Sequence, residues 1–187
     1  MSYDFVFLLE EPSIKNVLDE LLPKLIPDEI IYICISHQGK QDLAKSIPKK
    51  IKAFQFNPAT KFVIVHDQDS HDCKKLKSEL LEICQNVGNS NVLIRIICHE
   101  LESWFLGDLA AVEKAYNLNP NTLSKKQTSK KYRNPDRLNS AKQELMTLVD
   151  EYYAGTHSKK IALHMSLTEN KSQIFQVFIQ GIQKLLA

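Results

Sequence analysis

Four short apolar runs constrain this chain more than any other feature. They are "YDFVFLLE" (Tyr3 to Glu10), "EIIYICIS" (Glu29 to Ser36), "KFVIVHD" (Lys61 to Asp67) and "NVLIRIICHE" (Asn91 to Glu100). Each is continuously apolar rather than alternating, the pattern of a strand covered on both faces, and hence of a mostly parallel sheet. Parallel neighbours require crossovers, and the segments between the runs read as helices. "PSIKNVLDELLPKLI" repeats Ile14, Val17, Leu18, Leu21 and Leu22 at helical spacing, with Pro12 suited to the first turn and Pro23 to the end. "HQGKQDLAKSIPKKIKAFQF" predicts a helix kinked or broken at Pro48. "CKKLKSELLEICQNV" places Leu76, Leu80, Leu81 and Ile83 on one face, and Gly88 closes it. Up to Glu100 the order is therefore β-α-β-α-β-α-β.

Beyond Glu100 the character changes. "LESWFLGDLAAVEKAYNL" predicts a helix. "NPNTLSKKQTSKKYRNPDRLNS", with Pro, Asn and Ser throughout, predicts a loop excursion. "AKQELMTLVDEYY", "KKIALHM" and "KSQIFQVFIQGIQKLLA" predict three further helices, the last strongly amphipathic. The expected fold class is α/β: a mostly parallel four-stranded sheet with helices on both faces and a helical C-terminal extension. With 187 residues, 43% of them hydrophobic, the chain can build one sizeable core. The expected organisation is a single domain over 1–187, with an α/β core over 1–110. A basic loop and helical extension over 111–187 packs on that core.

The start "MSYDFVFLLEEPS" lacks a basic n-region, and no window approaches the roughly 20 apolar residues of a membrane span. A cytoplasmic protein with no membrane partner is expected. Cys34, Cys73, Cys84 and Cys98 form no C-x-x-C pair, and no disulfide framework is expected. Spacings among His66, His71, Cys73, Cys98 and His99 match no familiar zinc pattern.

In parallel sheets ligands gather at the carboxyl ends of the strands. The acids of this chain lie there: Glu10 after the first run, Asp67 and Asp69 after the third, Glu100 and Glu102 after the fourth. Residues i and i+2 of an extended segment face one side, so Asp67 and Asp69 can reach one point. A lone D-x-D can equally be a turn former. Glu10, at the end of another strand on the same edge, favours a shared ligand. Converging carboxylates raise one another's pKa, and a hard divalent cation relieves that cost.

"LLEEPS" followed by "VIVHDQDS" resembles the motifs of the TOPRIM domain, the metal-dependent fold of topoisomerases, primases and OLD-type nucleases. More narrowly, "LLEEPS", "HDQDSHDC" and "HELESWFLGD", in this order and over nearly the whole chain, resemble an uncharacterised prokaryotic TOPRIM-fold family. Its members often neighbour AAA or ABC-type ATPases in presumed defence loci. The resemblance implies phosphoryl chemistry on nucleic acid with Mg²⁺ or Mn²⁺. Glu10, Asp67 and Asp69 would be catalytic and metal-binding, and Glu102 a further metal ligand or merely a helix N-terminal acid. Glu11 stands where that family usually has Gly, which questions the local turn or adds a carboxylate. Lys40, His71, Asp72 and Glu100 are secondary candidates: Lys40 for a phosphate, His71 for substrate or for a ligand's support, the two acids as less favoured ligands. His66 reads as a packed strand residue.

Net charge is +2, which names no partner, but Lys125, Lys126, Lys130, Lys131, Arg133 and Arg137 stand against one acid, Asp136. Such a segment is either solubilising surface or a nucleic-acid contact, with Tyr132 placed to stack on a base. No Walker A loop exists, so ATP hydrolysis by this chain alone is not expected. Two functions from different classes follow: a Mg²⁺-dependent nuclease, possible effector of an ATPase partner in anti-phage defence, or a non-catalytic binding or regulatory subunit of an ATPase complex. A phosphatase or nucleotidyl transferase using the same metal site on small molecules is a third reading.

Overall fold

The computed structural model describes residues 2–68, 71–89, 91–97 and 99–187. Four strands, β1 (Phe5–Leu9), β2 (Tyr32–Ser36), β3 (Lys61–Asp67) and β4 (Val92–Ile97), form one sheet in the order β2-β1-β3-β4. All three pairings are parallel, with Leu9 opposite both Ser36 and Val65, and Asp67 opposite Ile97. The continuous apolar runs thus signalled what they should. β1 is buried along its whole length, because both of its faces carry helices.

The crossover helices are α1 (Pro12–Leu21), α2 (Lys40–Phe54) and α3 (Cys73–Gln85). α2 and α3 cover one face, setting Leu43, Ile47, Ile51, Leu76 and Leu80 on Val6, Leu8, Phe62 and Ile64. α1 covers the other, setting Ile14, Val17 and Leu18 on Phe5, Phe7 and Val65. Pro23 lies in a 3₁₀ turn, Leu22–Lys24, that ends α1.

α2 is not broken at Pro48 but continues through it to Phe54. A helix-interior proline costs about 3 kcal/mol. Burying Leu43, Ile47 and Ile51 fully, at roughly 1.5–3 kcal/mol each, outweighs that.

The remaining helices are α4 (Glu102–Leu106), α5 (Leu109–Ala115), α6 (Ala141–Leu148), α7 (Ala154–His164) and α8 (Gln173–Leu186). They enlarge the core on the α1 face: Trp104 packs on Phe175 and Phe178 of α8, with ring centroids 5.1 and 5.2 Å apart. The single helix expected from Leu101 to Leu118 is two. Asp108 accepts from Ala111 N–H at 3.0 Å and so starts a new helix, while its second oxygen accepts from Ser166 N–H at 2.8 Å. Between α5 and α6 the chain runs as turns, including 3₁₀ turns at Ser124–Lys126 and Pro135–Arg137. No helix among the described residues is long and apolar enough to cross a membrane.

Candidate functional site

β1 and β3 are neighbours at the centre of the sheet, and the chain leaves them in opposite directions, β1 toward β2 and β3 toward β4. Their crossovers lie on opposite faces, which makes the carboxyl ends of β1 and β3 the switch point where such sheets bind ligands. Glu10 and Asp67 stand at this β1–β3 mouth.

Glu10 is fixed at every polar atom of its backbone. Its N–H donates to Val65 O at 3.1 Å, and its carbonyl accepts from Gly39 N–H at 2.9 Å. Gly39 has φ 92°, a left-handed conformation that favours glycine, and it lets the β2–α2 turn close onto β1. The Glu10 side chain is 7% exposed as part of its residue, and its Oε2 lies 2.8 Å from both Asp67 N–H and His66 Nδ1. His66, 2% exposed, also sets Nδ1 against the Asp67 carbonyl, so an Nδ1–H tautomer donates to both oxygens. His66 is indeed a packed strand residue, but its ring also orients Glu10. Its position in an apolar run, one residue before Asp67, was the available signal.

Asp67 is the most perturbed acid of the site. Burial first, then Glu11, Glu10 and Glu102, push its carboxyl well above the usual carboxylate range, while a hydrogen bond from Leu101 N–H pulls the other way. Its Oδ1 is buried and has no hydrogen-bond partner among the described residues. Glu102 is buried in the first turn of α4. Burial raises its pKa too, opposed by the nearby Tyr152 hydroxyl, although no hydrogen bond of normal geometry joins the two. Glu102 therefore sits at a helix N-terminus and within electrostatic reach of Asp67 at once.

Glu11 has φ −142° and ψ 162°, extended backbone that any residue adopts. No glycine is needed there, and Glu11 brings a half-buried carboxylate to which the Ser13 hydroxyl donates. Lys40 and His71 meet, Nζ 3.3 Å from Nε2, at the rim of a cleft of about 290 Å³ between α2 and α3 that His66 also lines. Asp72 is occupied in capping α3, accepting from Lys75 N–H at 2.8 Å. Glu100 is occupied in capping α6, accepting from Lys142 N–H at 2.8 Å. Asp69 and Cys98 lie outside the described residues.

Among the described residues no group of three or more His, Cys, Asp or Glu side chains is close enough to hold a metal ion by itself. The donor chemistry nonetheless fits a hard cation: a buried carboxylate with an oxygen lacking a partner among the described residues, crowded by three other carboxylates, supplies oxygen ligands and gains from a positive charge.

The basic segment forms a cleft of about 730 Å³ lined by Lys130, Lys131, Arg133, Asn134, Arg137 and Leu138. Lys125 and Lys126 are exposed nearby in the chain. Lys131 pairs with Glu144 at 2.6 Å, whereas Arg133 and Arg137 make no ion pair among the described residues. Tyr132 corrects the expectation that it stacks on a base. It is buried, and its hydroxyl donates to Glu144. Burial would raise Glu144, but hydrogen bonds from Lys131 and Tyr132 outweigh it and hold the carboxyl below its usual range. Asp136 is turned away from the basic side chains to cap α8, accepting from Ser172 Oγ at 2.6 Å and Ile174 N–H at 3.1 Å.

The fold is similar to that of the C-terminal region of the Burkholderia pseudomallei OLD protein. The TM-score is 0.54 at 13% identity, and all of both chains is covered. It is similar as well to the C-terminal region of the Xanthomonas campestris pv. campestris OLD protein, with TM-score 0.53, 14% identity, and 98% and 96% of the two chains covered. Comparison with curated proteins finds no match. A family model, "Domain of unknown function (DUF4276)", matches residues 9–183, from the last residue of β1 into α8. This chain belongs to the DUF4276 family, and it carries the four-stranded parallel α/β fold of the OLD C-terminal region.

Proposed function

We propose that this chain is a metal-dependent nuclease-type enzyme that hydrolyses phosphodiesters of nucleic acid at the β1–β3 mouth. The observation that carries the reading is the Asp67 carboxylate, buried, crowded by Glu10, Glu11 and Glu102, with Oδ1 lacking a partner among the described residues. The likeness to the OLD C-terminal region and the TOPRIM-like order of Glu10, Asp67 and Asp69 support it. Asp67, with Glu10, Asp69 and Glu102 as further ligands, would hold Mg²⁺ or Mn²⁺. Such an ion, when bound, neutralises phosphate charge and acidifies a water.

The other steps fall to the chain's own groups. Glu10, with one oxygen fixed by His66 and Asp67 N–H, keeps the other to orient or deprotonate a water. Lys40 and His71 at the rim meet a phosphate oxygen. The cleft of Lys130, Arg133 and Arg137 tracks the backbone by counterion release. Energy-dependent control would come from an AAA or ABC-type ATPase partner, with anti-phage defence as the setting. Incubation of wild type and Asp67→Ala with Mn²⁺ on DNA and structured RNA, with and without a co-encoded ATPase, tests this. Equal absence of cleavage by both proteins under every condition sinks it.

One observation favours a second reading, a non-catalytic subunit of an ATPase complex. Glu10 Oε2 already accepts two hydrogen bonds, as a purely structural carboxylate would. Co-purification with the ATPase that is indifferent to chelator and to Asp67→Ala, with no cleavage, would establish that reading instead.

A further inference from the structure

The chain after α6 builds something the acidic site does not use. His157 of α7 lies near-parallel to Tyr116, with centroids 5.3 Å apart at 23°, and to Tyr153, at 5.7 Å and 21°. The rings are held in place. Tyr153 N–H donates to His157 Nδ1 at 2.8 Å, Tyr116 Oη donates to the Glu151 carbonyl at 2.8 Å, and Tyr153 Oη donates to Glu151 Oε1 at 3.1 Å. Yet Tyr153 is 59% exposed. A hollow of about 140 Å³ opens beside it, lined by Met146, Val149, Asp150, Glu151, Tyr152 and Tyr153. Met146 is exposed as well, so the ring is not an isolated surface aromatic.

This platform adjoins the acids. The Tyr152 ring lies 6.2 Å from that of His157, and its hydroxyl is within electrostatic reach of Glu102 and Glu11. Asn16 of α1 donates to the Gly155 carbonyl at 2.6 Å, tying the first turn of α7 to the helix that begins two residues after Glu10.

We propose that Tyr153 and the hollow beside it form a subsite for one unpaired nucleobase of a single-stranded nucleic acid entering the acidic site. The proposal rests on the nucleic-acid reading above and names the substrate class within it. A pre-oriented exposed ring stacks on any base face, and a duplex hides those faces. Asp150 and Glu151 repel phosphate but accept hydrogen bonds from the exocyclic amino group of cytosine or adenine. The phosphates are left to the cleft of Lys130, Arg133 and Arg137 at the other end of α6, a helix of eight residues and on the order of 12 Å in length.

Fluorescence anisotropy in EDTA with the full chain tests this, using labelled oligodeoxycytidine, oligothymidine, oligocytidine RNA and a duplex of equal length. Tyr153→Ala should weaken binding of a cytidine strand, DNA or RNA, about fivefold or more, and Tyr153→Phe should not. Oligodeoxycytidine should bind more tightly than oligothymidine. Unchanged affinity in Tyr153→Ala, or a duplex bound as tightly as the single strand, overturns the subsite, and equal affinity for the two homopolymers overturns the role of the carboxylates. Because no metal is present, the outcome is separate from cleavage. Tyr153-dependent binding without any cleavage would refute the nuclease reading and keep the subsite, and Asp67-dependent cleavage with Tyr153-independent binding would do the reverse.

Discussion

His66 Nδ1 lies 2.8 Å from Glu10 Oε2, and the N–H of the next residue, Asp67, donates to the same oxygen at 2.8 Å. One β3 dipeptide thus clamps the carboxylate that ends β1. The clamp separates what Glu10 does for the fold from what its charge does. In Glu10→Ala the buried Asp67 N–H loses its acceptor while His66 Nδ1–H keeps the Asp67 carbonyl, at about 1–3 kcal/mol for the orphaned donor, so a Tm fall of roughly 2–12 °C is expected. Glu10→Gln keeps an acceptor oxygen and should melt within about 3 °C of wild type, yet lose metal-dependent cleavage. Thermal melts beside a cleavage assay check both. A Gln variant as active as wild type would remove Glu10 from the chemistry.

Asp67 makes stability depend on pH and on cations. Its folded pKa is raised, chiefly by burial and then by Glu11, Glu10 and Glu102. A carboxyl whose folded pKa is raised contributes its full stability below the unfolded value, about 3.9, and loses it as pH rises through the folded value. Asp67→Asn should therefore melt above wild type at pH 7–8 in EDTA, and the gap should close as pH falls toward 4. Mn²⁺ should raise the wild-type Tm at neutral pH and leave the variant nearly unmoved. Wild type more stable than Asp67→Asn in EDTA at pH 8 would contradict the crowding described here.

Much of this was legible in the chain, for a physical reason. Continuous apolar runs arise where both faces of a strand are covered, and an acid that ends such a run lies at the carboxyl edge of the sheet, so the parallel sheet and the nearness of Glu10 to Asp67 follow from local pattern, whereas the order β2-β1-β3-β4 does not. What was not legible depends on partners distant in sequence. Glu100 looks like a ligand until Lys142, forty-two residues on, presents its N–H. Tyr132 looks like a stacking ring amid lysines until α6 brings Glu144 to its hydroxyl. Pro48 reads as a break because the sheet that holds α2 together is not visible from the helix. The Gly expected at Glu11 proved unnecessary because the backbone there is extended.

Arg133 and Arg137 should carry the salt dependence of nucleic-acid binding, because neither has an acidic partner among the described residues and both line the basic cleft. Each phosphate contact to a single strand contributes about 0.7 to the slope of log affinity against log salt. Arg133→Ala/Arg137→Ala should flatten that slope by roughly 1.5 and weaken all sequences alike. Lys131→Ala should change it less, since that ammonium is held by Glu144 at 2.6 Å. Binding titrations across a salt series decide this, and an unchanged slope in the double variant would reduce the segment to solubilising surface.

The segment "HELESWFLGD" has a packing explanation that can be tested at Gly107. The Gly107 carbonyl accepts from Lys171 N–H at 2.8 Å, and the Trp104 carbonyl accepts from Asn170 Nδ2 at 2.8 Å. The segment that leads into α8 is thereby pressed onto the end of α4. A Cβ at position 107 would stand 2.1 Å from Asn170 Oδ1 and 2.7 Å from Ser172 N. The second contact is backbone, and Ser172 N–H already donates to Asn170 Oδ1 at 2.9 Å, so neither group can move without breaking the α8 cap. Overpacking of this kind costs about 1–3 kcal/mol, or a Tm loss of roughly 2–12 °C for a chain of this size. Gly155→Ala is the control: a Cβ there meets nothing within 4 Å, and alanine is the better helix former in α7. Gly107→Ala should melt well below wild type and Gly155→Ala at or above it. The reverse order would mean that the α4–α8 contact does not hold the C-terminal helix in place.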